Sequence, residues 1–213
     1  MTIIIDGTTG VPVSPVTGTL AVLNGGTGVT TSTGSGANVL GTSPSISGAV
    51  MTTMASSVIT SGTAVASTSG TSITFTGIPT WAKRITVSLS GVSTNGANDL
   101  LIQIGSGSLT TTGYSAQRAY MISNTSYSAA TNYTNCISLI ATNTSADIKS
   151  GQIVLTNVSG NNWVATSAVA TINTLFAWSA GTITLAGVLD RVAVVINGGV
   201  DTFDAGSINI LYE

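Results

Sequence analysis

From residue 71 onward, apolar and polar positions alternate with a period of two. In 84–90, Ile85, Val87 and Leu89 fall on one side and Thr86, Ser88 and Ser90 on the other. That spacing predicts an extended strand with one dry and one wet face. Similar β-branched segments recur at 72–76, 100–104, 137–141, 152–156, 182–186, 191–196 and 207–212. Gly- and Asn-rich clusters separate them, such as Asn95-Gly-Ala-Asn98, Ser159-Gly-Asn-Asn162 and Asn197-Gly-Gly199. About eight short strands parted by turn signals predict an antiparallel β-sandwich, jelly-roll-like, over residues 71–213. No long amphipathic helix is visible.

The first third reads differently. Every residue from 7 to 82 is uncharged, and Pro12, Pro15, Pro44 and the clusters Asn24-Gly-Gly-Thr-Gly28 and Thr33-Gly-Ser-Gly36 punctuate it. Short strands are expected at 3–5, 19–23 and 58–60. Met51, Met54 and Val58 have helical spacing and predict one short helix, weakened by the Thr and Ser between them. Spaced Ile, Val, Leu and Met in this polar stretch cannot close a core alone. Residues 1–70 are therefore expected to be an extended segment, either intertwined with identical copies or a flexible tether.

Composition sharpens this. The chain has 213 residues, with 5 Lys+Arg, 7 Asp+Glu, no His and 1 Cys. Charged residues make up 6%, against about 25% in ordinary soluble domains. So few charges leave Ser, Thr, Asn and Gly to keep the surface wet, a composition suited to chains covered by neighbours. An obligate oligomer is expected. A net charge of −2 offers no footprint for nucleic acid. Without His there is no Ser-His-Asp site and no His-ligated metal. One Cys gives no disulfide framework. Mean hydropathy is +0.48, yet no apolar run approaches the ~18–20 residues of a spanning helix, so no membrane insertion is expected. The opening Met1-Thr-Ile-Ile-Ile-Asp6 lacks the basic region and apolar core of a secretory signal.

Candidate chemistry is sparse. Asp201 and Asp204 are the only acids close in sequence, and their spacing fits neither an EF-hand nor a calcium repeat; they read as turn-capping residues between the last strands. Asn24-Gly-Gly-Thr-Gly28 lacks the Gly-Lys-Ser/Thr of a phosphate loop. No catalytic residue, metal site or cofactor is expected. Tyr114, Arg118, Tyr120, Tyr127 and Tyr133 gather in 110–134, a stretch without a convincing strand. Tyrosine stacks on sugars and bonds to them, so these five form the candidate ligand site, with strand-edge packing or a subunit contact as the alternative. Trp163 reads as core before ligand contact, and Cys136 as a small buried apolar residue. The Asn-x-Ser/Thr triplets at Asn124, Asn132, Asn143 and Asn157 reflect high Asn and Thr content.

Three segments resemble bacteriophage tail fibre proteins: Asn24-Gly-Gly-Thr-Gly-Val-Thr-Thr-Ser-Thr-Gly-Ser-Gly-Ala-Asn-Val-Leu-Gly-Thr-Ser-Pro-Ser45, Phe75-Thr-Gly-Ile-Pro-Thr-Trp-Ala-Lys-Arg-Ile-Thr-Val87, and the closing residues 187–212. They touch about a third of the chain. The resemblance implies a homotrimer, with an N-terminal stem (1–70) on baseplate or tail proteins and a C-terminal head (71–213) facing a host surface glycan or protein. It implies non-catalytic adsorption by a virion component assembled in the bacterial cytoplasm. It carries over no binding residue. A capsid or tail decoration protein is the alternative, and a glycan-degrading tailspike the third reading.

Overall fold

The computed structural model describes residues 59–122, 126–140, 144–172 and 174–213, with backbone only for 126–130. The strands expected at 3–5 and 19–23 and the helix over 51–58 lie outside the described residues.

In chain order the strands are β1 (Thr60–Ser61), β2 (Val65–Ala66), β3 (Ser72–Thr76), β4 (Arg84–Thr94), β5 (Leu100–Ser106), β6 (Ser108–Leu109), β7 (Ser115–Ile122), β8 (Ser126–Tyr133), β9 (Ile137–Ile140), β10 (Lys149–Ser159), β11 (Asn162–Thr171), β12 (Leu175–Thr184), β13 (Arg191–Ile196) and β14 (Phe203–Tyr212). A single 3-10 turn, Asn197–Gly199, follows β13. The described residues are thus all-β. The larger sheet has the order β1-β14-β4-β10-β11-β12-β7-β8, with β2 also on β14. The smaller has β3-β13-β5-β6, with β9 also on β5. Every pairing is antiparallel.

The alternation read in the sequence is the one the sheet uses. Ile85, Val87 and Leu89 of β4 are buried, as are Ile153 and Leu155 of β10 and Ile208 and Ile210 of β14. They share one apolar core with Leu100, Ile102 and Ile104 of β5 and Val192, Val194 and Ile196 of β13, so the two sheets close over each other as in a β-sandwich. Each such side chain taken from water stabilises the fold by roughly 1.5–3 kcal/mol. β5 is buried from Leu100 through Gly105, which matches its near-continuous apolar run.

The expected segments coincide with strands, except that 182–186 overruns β12 at Thr184 and residue 141 lies outside the described residues; most strands are longer than expected. β4 runs past 90 because a bulge at Gly91 (φ +64°) resets the alternation, so that Val92 points inward again. Gly206 (φ +93°) sits against this bulge, and a Cβ there would run into the Gly91 carbonyl. The larger sheet also reaches back before residue 70. Thr60 pairs with Tyr212, Val65 pairs with Ile208, and Ser67 donates its N–H to Gly206 and its hydroxyl to Ala205. Residues 60–61 and 65–66 therefore pair into the larger sheet.

Ile102→Ala, fully buried between the sheets, should cost about 2–5 kcal/mol in urea unfolding. Val158→Ala, 58% exposed at the end of β10, should stay within about 0.5 kcal/mol.

Candidate functional site

The stretch 110–134 is a hairpin, not a loop: β7 and β8 pair from Ala116 opposite Tyr133 to Ile122 opposite Ser126. Its sequence hid this because Ala, Ser, Asn and Thr fill the alternating positions with little hydropathic contrast. Along β7 the period of two sends Ala116 and Arg118 inward and leaves Gln117 exposed.

That parity decides the fate of the predicted site. Tyr114 is buried; its hydroxyl donates to the Thr110 carbonyl (3.0 Å) and accepts from the Ile104 N–H (2.9 Å). Burial pushes its pKa up to about 12. Arg118 is also buried and donates to Asp99 Oδ2 (2.8 Å) and Ser138 Oγ (2.6 Å). Its guanidinium lies 5.6 Å from the Tyr120 ring centroid and 5.3 Å from that of Tyr133, two cation–π contacts made in a partly dry site. Both tyrosines pack against the core. Tyr114, Arg118, Tyr120 and Tyr133 therefore act as internal braces of the hairpin. Tyr127 is in β8, in register with Met121; its side chain is outside the described residues. Beside Arg118, the Ser167 and Ser179 hydroxyls bond at 2.6 Å, and Arg118 Nε is buried with no hydrogen-bond partner among the described residues.

The carboxylates are similarly engaged. Asp201 accepts the Asn98 N–H (2.8 Å), as a capping carboxylate does, whereas Asp204 lies within β14 and accepts the Ser93 hydroxyl of β4 (2.6 Å). Asp147 accepts from the N–H and hydroxyl of Thr144. Asp190 accepts the Gly107 N–H and pairs with Arg191, which holds its pKa below the usual carboxylate range. Lys149 is fully buried and donates to the Asp147 carbonyl (3.0 Å). Burial lowers its pKa, opposed by Asp147, Asp204 and Asp99. Cys136 is buried, and burial pushes its pKa up to about 11, which disfavours the thiolate. Trp163 is core. Among the described residues no group of three or more His, Cys, Asp or Glu is placed to hold a metal ion, and no helix is long and apolar enough to cross a membrane.

The opening in the surface adjoins these residues, and Tyr114, Arg118 and Tyr133 contribute to its lining. A groove of about 1080 Å³ runs over β7, the end of β8, β11 and β12. Trp178, Gln117, Asn132 and Thr166 are among its lining residues. Trp178 lies beside Phe176, ring centroids 5.4 Å apart. The signal for this face was Phe176 and Trp178 two residues apart in a strand whose other parity is Leu175, Ala177 and Ser179; reading the strand only from 182 concealed it.

No family model, no curated protein and no solved structure matches the chain.

Two outcomes follow from the interior groups. Arg118→Ala should cost about 2–4 kcal/mol in urea unfolding, because it leaves Asp99 and Ser138 without their donor. Above pH 9 stability should fall. Cys136 and Tyr114 keep their protons to about 11 and 12 when folded, but release them near pH ~8.5 and ~10 when unfolded. Their contribution is whole below the unfolded values and is lost as pH rises through the folded ones. Lys149 works the other way, since the unfolded chain binds its proton more tightly. Urea midpoints across this range should flatten in Cys136→Ala; an unchanged slope would reject the assignment.

Proposed function

We propose that the chain is a homotrimeric bacteriophage tail fibre protein that adsorbs to the host cell surface without catalysis. Residues 1–70 supply the attachment to baseplate or tail proteins, carried chiefly by the part before the sheet begins at Thr60. The C-terminal residues form a trimeric head of jelly-roll-like sandwiches that meets a host glycan or protein. The protein is assembled in the bacterial cytoplasm and works as part of the virion.

The observation that carries this reading is the outer face of β10, β11, β12 and β7. Its outward positions, among them Gln152, Thr166, Trp178 and Gln117, include no Asp, Glu, Lys or Arg along four adjacent strands. A face this broad and uncharged suits contact with a neutral surface more than it suits free exposure to water. The resemblance of 24–45, 75–87 and 187–212 to fibre proteins supports the same conclusion. The acids support a non-catalytic role, because Asp201, Asp204 and Asp147 accept bonds from their own scaffold. The uncharged face also suits lateral packing in a capsid or tail decoration protein, which is the second reading.

Light scattering should give three times the chain mass of 21.2 kDa, and fluorescently labelled protein should bind intact cells of some strains in a bacterial panel without releasing reducing sugar. A monomer would defeat the trimer. A trimer that binds no strain would favour the decoration reading.

A further inference from the structure

The floor of the groove is ordered by strand register. Asn132, Gln117, Ala180 and Thr166 form one row across β8, β7, β12 and β11. Two residues along the strands, Ala119, Trp178 and Ala168 form the next. In the other direction lie Ser115, Thr182 and Val164. Rows on one face are about 6.7 Å apart along a strand, and neighbouring strands about 4.8 Å apart. The groove therefore sets an indole bordered by methyl groups one step from a row of two amides and a hydroxyl. A step further on are the Ser115 hydroxyl, the Thr182 hydroxyl, which donates to Asn162 and to the Trp163 carbonyl, and Val164.

This pattern has a chemical complement. A sugar ring carries a C–H face that packs on an indole and a rim of hydroxyls that both donate and accept. Asn and Gln each offer a donor and an acceptor on a short stem, and Thr offers both on one oxygen. Gln117, Asn132 and Thr166 are exposed, and none makes a side-chain hydrogen bond within the described residues. Trp178 is half-buried, with the Phe176 ring beside it on the same face of β12. No ionisable side chain other than the inward, paired Arg118 and the tyrosines at the β7–β8 side lines the groove. A charged ligand would lose hydration there with nothing to replace it. The volume of about 1080 Å³ is at the upper end for a single small ligand and fits an oligomer.

We propose that this groove is a binding site for a neutral, linear oligosaccharide, with one ring stacked on Trp178 and its hydroxyls bonded to Gln117, Asn132 and Thr166. The inference rests on the adsorption reading for the biological source of the sugar, a glycan of the bacterial surface. Tyr114, Arg118 and Tyr133 of the β7–β8 hairpin also border this groove.

The full chain is titrated with malto-, cello- and chito-oligosaccharides, with oligogalacturonate as the charged control. Tryptophan fluorescence and ligand-observed saturation-transfer NMR report binding. At least one neutral series should bind and oligogalacturonate should not. Trp178→Ala and Gln117→Ala should each weaken binding about tenfold or more, which corresponds to about 1.4 kcal/mol, while mass and melting temperature stay those of the parent. The proposal is overturned if no neutral series binds, if oligogalacturonate binds as well as they do, or if both variants bind like the parent. It is also overturned if Trp178→Ala lowers the mass of the assembly, because the face is then a contact between copies. Binding of the same proteins to bacterial cells separates the two claims. A parent that binds cells but no oligosaccharide leaves adsorption standing and removes the groove. A parent that binds oligosaccharide but no cell does the reverse.

Discussion

The larger sheet is held by burial on one face, and it has almost no charge with which to mark the other. Ile85, Val87, Leu89, Ile153, Leu155, Ile208 and Ile210 are withdrawn from water against β5 and β13, and that burial is the main term favouring the fold. What keeps each strand from turning over is the difference between a β-branched side chain and a Thr or Ser on the opposite parity. A shift of one residue would exchange the two sets completely. In β4, β10 and β14 the contrast is large. In β7, β11 and β12 it is small, and other features must set the register.

Buried polar groups supply part of what is missing. Arg118 reaches from β7 to Asp99 and to Ser138 of β9, between two tyrosine rings. Ser167 and Ser179 bond across β11 and β12 in the same row. Each contact can be made in only one register, because a slip of one residue would carry the donor to the wet face. Lys149 holds the end of β10 in a comparable way through the Asp147 carbonyl. Buried ionic groups add little net stability, since desolvation offsets their attraction. Their value in this sheet is in choosing one alignment where apolar contrast is weak. Gly181 adds a steric restraint of the same kind: a Cβ there would meet Ala116 and the Ile137 side chain, so only glycine lets β12, β7 and β9 approach as they do.

The strong strands were legible because Ile, Val and Leu alternate with Thr and Ser in 84–90, 191–196 and 207–212. Trp163 and Cys136 were legible as core, and Asp201 as a capping group, from residue type and neighbours alone; Asp204 instead bonds across two strands. The hairpin of 115–133 was not legible, since Ala, Gln, Asn and Thr alternate there without a clear dry side. In the strand pair Arg118 and Tyr120 share a parity, and Tyr114, Arg118 and Tyr133 are braced by the core while also lining the groove. The bulge at Gly91 was equally hidden, because a single glycine does not tell from sequence whether alternation stops or resumes one place later.

The weak contrast that conceals these strands also shapes their surface. A cross-strand row of Ala119, Trp178 and Ala168 has one large side chain among methyl groups, and the Phe176 ring packs beside the indole from the next row. Longer neighbours would mark the strands more plainly in the sequence and would fill the groove. Charged neighbours would make the face soluble in its own right and unfit for a neutral partner. Small uncharged residues do neither, and they leave specificity to the few amides and hydroxyls that register places beside the ring. The composition that makes this chain hard to read as a sheet is therefore the same one that gives the sheet an open face with its polar groups at fixed spacing.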